Sequence, residues 1–158
     1  MANTQAMTTS FMGELMTATH NFGTAPTRGS SADDTFKAAL YLTSATINAA
    51  TTAYSSSGEV TGTNYTAGGV TVTNATAPTA TNSSATAGVA YWTPSASITY
   101  TNVTLTTAFD AVLIYNSTQS NKAVSVHTFG SQTITAGTFT LTMPSNTTTT
   151  ALLRLSTT

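Results

Sequence analysis

Apolar and polar residues alternate through much of the second half of the chain, at Val89–Thr93, Ser97–Tyr100, Val103–Thr107, Ala108–Tyr115, Ala123–Thr128, Gln132–Thr135, Thr138–Met143 and Ala151–Ser156. A period of two sends successive side chains to opposite faces, so each segment predicts a strand. Turn signals at Thr93-Pro94, Asn116-Ser117, Gly130-Ser131, Ala136-Gly137 and Pro144-Ser145 separate them. Phe36–Leu42 and Gly69–Asn74 read as further strands, and Ala45–Tyr54 as a strand or a short helix. Ser55–Gly69 is broken by four glycines that permit tight turns or bulges. Ala75–Ala87, built almost wholly of Ala, Thr, Ser, Asn and Pro, predicts an exposed, mobile loop. Helical spacing occurs in Thr9–Phe22, where Phe11, Met12, Leu15 and Met16 form one stripe, with Ser10 as the candidate cap. Many short strands with no helical pattern between them predict an all-β fold, an antiparallel sandwich or jelly roll with an N-terminal arm or short helix. The expected division is an arm and loop over residues 1–34 and a single β-sandwich domain over 35–158.

Composition narrows the chemistry. In 158 residues only 6% are charged, against about 25% in ordinary domains, and the formal net charge is -1. Without an excess of positive charge there is little to neutralise phosphates, so nucleic acid is not an expected partner. Threonine fills about 40 positions; its β-branched side chain suits the solvated face of a strand. The chain has no cysteine, which excludes disulfides, thiolate catalysis and Cys-based zinc sites. The first residues show no charged and apolar signal pattern, and no run approaches the roughly 18 apolar residues of a membrane span. The expectation is a soluble protein made in the cytoplasm, with no membrane partner. Asn-x-Ser/Thr triplets at Asn64, Asn74, Asn82, Asn102, Asn116 and Asn146 follow from the abundance of threonine and do not predict glycosylation.

Five carboxylates are present, Glu14, Asp33, Asp34, Glu59 and Asp110, and two histidines, His20 and His127. Paired-carboxylate hydrolysis needs two acids facing a substrate; Asp33 and Asp34 are adjacent, but in a Ser-rich loop that reads as a strand entrance. Asp110 could orient His127 beside a serine, yet no GxSxG elbow accompanies them, and His127 falls in a strand pattern. No metal-ligand spacing appears, so no enzyme, cofactor or metal is expected. Tyr91 and Trp92 invite comparison with a sugar-binding platform, but neighbours on a regular strand face opposite ways and one of them belongs in the core. Trp92 is the candidate aromatic contact for a receptor-binding role. Phe11, Met12, Leu15 and Met16 offer an apolar stripe for docking on a partner, or close the domain's own core.

The segments GELMTATHNFGT (13–24), DTFKAALY (34–41), TTAYSSSGEVTGTNYTAGG (51–69), AYW (90–92), FDAVLIYN (109–116) and AVSVHTFGSQ (123–132) together resemble small structural virion proteins of tailed bacteriophages and prophages. The resemblance covers most of the chain as an ordered series. It implies a structural role without catalytic residues: a capsid decoration, or cement, protein on the virion surface, with the major capsid protein as partner. A homo-oligomer, favoured as a trimer, follows if it sits on a three-fold axis. Similar β domains also serve as tail adaptors and fibre modules, which is the alternative.

Overall fold

The computed structural model describes residues 3–16, 19–22, 33–73, 77–81 and 88–156. Its elements are β1 (Ala6–Met7), α1 (Thr9–Met16), β2 (Phe36–Leu42), β3 (Val70–Val72), β4 (Thr79–Thr81), β5 (Val89–Trp92), β6 (Ile98–Asn116), β7 (Lys122–Leu141) and β8 (Leu153–Ser156). They form two antiparallel sheets packed as a sandwich, a large one in the order β1-β7-β6-β2-β3 and a small one in the order β4-β5-β8. The all-β sandwich with a short N-terminal helix expected from the alternation is the fold observed.

The six separate strands expected between Ser97 and Met143 are two long ones, of 19 and 20 residues. Most of the turn signals there are bulges. Asn102 (φ 52°) and Ala136 (φ 47°) sit in the left-handed region, and the β6–β7 register shifts beside each. Between Phe109↔Gln132 and Ala111↔Thr128, β7 advances four residues while β6 advances two, so the Gly130-Ser131 signal marks an outward loop of the strand. The real reversal joins Asn116 to Lys122, with Ser120 and Asn121 at φ 54° and 59°.

Hydrophobic residues on the two faces of the large sheet are buried separately. Phe36, Leu40, Tyr100, Leu105, Phe109, Val112 and Ile114 belong to the core shared with Trp92 and Leu153 of the small sheet. Ala39, Tyr41, Leu113, Tyr115 and Val126 are covered on the opposite face by Ala45, Ile47 and Tyr54. The segment Ala45–Tyr54 is therefore neither strand nor helix. It is an irregular cover whose alternation serves one-sided burial, and its backbone is satisfied by Thr4, Thr9 and Asn121. Within Ala75–Ala87, Thr79–Thr81 pairs with β5 rather than forming loop, held by main-chain bonds while two of its residues stay exposed; residues 75–76 and 82–87 lie outside the described residues.

Ser10 lies inside α1 rather than capping it, and its buried hydroxyl has no hydrogen-bond partner among the described residues. Thr8 stands before the helix, and its hydroxyl instead donates to the carbonyls of Ala123 and Val124, fastening the arm to β7.

Candidate functional site

The N-terminal arm is stitched to the sandwich at three levels. β1 pairs with β7 at Ala6↔Val126 and Met7↔Ser125, which covers that part of the sheet edge. From α1 and the segment 19–22, Phe11 and Phe22 enter the inter-sheet core, where Phe22 stacks on Phe36 at 4.3 Å between ring centroids and meets Trp92 at 4.7 Å. Aromatic contacts of this kind add about 0.5–1.5 kcal/mol beyond area burial. A polar chain then joins arm and hairpin. His20 Nε2 lies 2.7 Å from Glu14 Oε2, Lys122 pairs with the other Glu14 oxygen, and Asn116 Nδ2 donates to His20 Nδ1 at 3.0 Å and to Asp34 Oδ2 at 2.7 Å.

The orientation of Asn116 is fixed, because its Oδ1 accepts the backbone N–H groups of Thr118 and Gln119 in the hairpin turn. Its amide nitrogen must face His20, so Nδ1 is an acceptor and the proton sits on Nε2, donated to Glu14. Burial lowers the pKa of His20, against the pull of Glu14 and Asp34. Burial opposes ionisation of Glu14, but its bonds to Lys122 and His20 outweigh this and hold its pKa below the usual value. Asp34 also accepts from Asn21 N and Gln119 Nε2. The carboxylate of the Asp33-Asp34 pair that the sequence offered for acid–base work is thus a buried joint of the arm.

The other candidate groups are likewise bonded within the fold. Asp110 accepts from Asn3 Nδ2 at 2.6 Å, and His127 Nε2 meets Ser125 Oγ at 2.9 Å. The acid and imidazole considered for a triad therefore have separate partners. Desolvation pushes His127 down to about 4 from 6.5. Both histidines are harder to protonate folded than unfolded, so the unfolded chain binds more protons below pH 6.5. For His127, stability should fall as pH drops from about 6.5 towards 4, by about 1.4 kcal/mol per pH unit, and His20 acts in the same direction. Urea unfolding at stepped pH measures the slope, and His127→Gln should flatten it.

Of the docking-arm candidates, Phe11 is 2% exposed and Leu15 is half-buried against the core, while Met12 is 47% exposed. Met16 closes the helix. Trp92 is 3% exposed and packs in the core, leaving Tyr91 half-buried as its neighbour on the other face. Between arm and small sheet runs an apolar groove of about 90 Å³ lined by Met7, Leu15, Phe22, Trp92, Leu153 and Leu155. Among the described residues, no three His, Asp or Glu side chains gather into a metal-binding group.

A second cluster was not anticipated from the sequence. Glu59, 6% exposed, accepts from Tyr54 Oη at 2.6 Å, Tyr65 Oη at 2.7 Å and Gly68 N at 2.8 Å. Tyr65 also accepts Leu40 N–H from β2, Tyr115 donates to Gly68 O and Tyr100 to Ala38 O. Burial, together with the Glu59 charge, raises the Tyr41 and Tyr115 hydroxyls to about 12 and drives Tyr54, Tyr65 and Tyr100 higher, so they stay protonated donors. The segment EVTGTNYTAGG is thereby a wrap that crosses the sheet edge. Its signal in the sequence was the only acid within a Tyr- and Gly-rich stretch.

No protein-family model, no curated protein and no solved structure matches this chain.

Proposed function

We propose that this is a structural virion protein of a tailed bacteriophage, a capsid decoration protein that binds the outside of the head through the major capsid protein. The ordered series of segments from Gly13 to Gln132 that resembles such proteins carries the reading. Two features agree with it. Glu14, Asp34, Glu59, Asp110, His20 and His127 are engaged in cross-links within the fold, as suits a protein that acts by contact. A surface poor in charge makes contacts that depend weakly on salt, and many modest contacts on one shell bind multivalently.

Met12 is an exposed large apolar residue of the arm and the residue proposed to touch the shell. Excising Ser10–Phe22 would remove Phe11 and Phe22 from the core, so the surface test is Met12→Asp. The protein is mixed with undecorated capsid shells, sedimented, and the pellet imaged by electron microscopy. Stoichiometric, symmetric density on the head is expected, and Met12→Asp should keep the melting temperature but reduce binding by about tenfold. Absence from the shell, with density at the tail or attachment to host cells, would replace this reading with a tail adaptor or fibre module.

A further inference from the structure

The large sheet covers most of its edges with irregular chain. Leu42 N and Val60 N bond across to Gly58 O and Leu40 O along β2, and Thr63 pairs with Thr104 on β6. The first part of β7 is covered by β1, by Thr8 and by Thr52 and Ala53. Beyond Val126 this cover stops. From His127 to Leu141, among the described residues, no segment other than β6 bonds to the strand's main chain; Gln132 only folds its own amide onto Gly130 O. Half of the backbone groups on such a strand point outward, a template for another strand.

Proteins blunt such an edge with charge, proline, bulges or a covering segment, and of these this part of β7 has only its bulges. Here no Asp, Glu, Lys or Arg occurs from Ala123 to Leu153, and no proline from Ala123 to Thr142. Thr133, Thr135, Thr138 and Thr140 are exposed, while Ile134, Phe139 and Leu141 are half-buried against the core. The bulge at Ala136 keeps this alternation in phase, so from Thr133 to Leu141, beyond the outward loop at Gly130-Ser131, one face of the edge is threonine and the other apolar.

We propose that this edge pairs with the same edge of a second copy, antiparallel across a two-fold axis, to run one sheet through both molecules. Read backwards, the strand shows the same two-faced pattern, so self-pairing sets threonine against threonine and apolar against apolar. A homotypic contact doubles any charge it contains, and this edge contains none, which selects a second copy over a partner of complementary charge. Ile134, Phe139 and Leu141 lose their remaining exposure in the pair. This inference does not depend on the capsid reading.

The test is sedimentation equilibrium of the full chain, alone and with Thr138→Lys/Thr140→Lys or Thr138→Glu/Thr140→Glu. A concentration-dependent dimer is expected. Each double variant should keep the wild-type melt yet raise the dissociation constant about tenfold or more, and mixing the two variants should restore the dimer. A monomer throughout, or a dimer or trimer indifferent to all four substitutions, would overturn the proposal.

Discussion

Gly69→Ala is expected to yield no folded protein, or one weakened by more than about 4 kcal/mol. Gly69 has φ +73°, where an L side chain is strained. A methyl group there would also lie 1.7 Å from Ala38 O and 2.4 Å from Ala38 C. Those are main-chain atoms of β2, a strand held between β6 and β3, and cannot turn aside like a side chain. The wrap would have to lift from the sheet, breaking the β2–β3 pairing at Ala38↔Val70. Gly130→Ala is the matched control: its added methyl meets nothing within 4 Å. It should change stability by no more than about 0.5–1 kcal/mol, with any gain arising from a less flexible unfolded chain. Soluble yield and circular dichroism separate the two variants.

Glu59→Ala should cost roughly 3–5 kcal/mol, since an unsatisfied buried polar group costs about 1–3 kcal/mol and three donors lose their acceptor. Glu59→Gln should fall between wild type and alanine. Its amide oxygen can serve one side of the site, but its NH2 faces hydroxyls that must turn round to accept. Chemical denaturation of the three proteins gives the order. Equal stability of wild type and Glu59→Ala would show that the tyrosines, not the carboxylate, hold the wrap. Loss of the wrap should also appear in near-ultraviolet dichroism, because Tyr54 stacks on Tyr115 and Tyr65 on Tyr100.

Strand positions were legible because a period of two records burial directly. Phe36–Leu42 is found with the boundaries its pattern predicts. The continuity of β6 and β7 was not legible, since Asn, Gly and Ala-Gly mark bulges as readily as turns, and only partner registers distinguish them. The apolar stripe of α1 was visible, but whether Phe11 faced a core or a partner depended on Phe22, which meets it only in the fold and itself packs on Phe36 and Trp92. The role of Glu59 was not legible because its donors Tyr54, Tyr65 and Gly68 each lie several residues away with no periodic relation to it. Asp34, His20 and Asn116 were hidden more deeply: the bonds from Asn116 span 82 and 96 residues.

The same separation governs how the molecule is made. Thr8 fastens to Val124, 116 residues further on, and Glu14 waits 108 residues for Lys122. During synthesis the ribosome must release all of β6 and the first residues of β7 before the first strand has anywhere to lie. The arm therefore docks late, after the hairpin whose strands are close neighbours in the chain has zipped. Until then Phe11 and Phe22 are exposed on the nascent chain, so a product that stops short of Lys122 carries an unsheathed aromatic arm and is a ready substrate for chaperones and proteases.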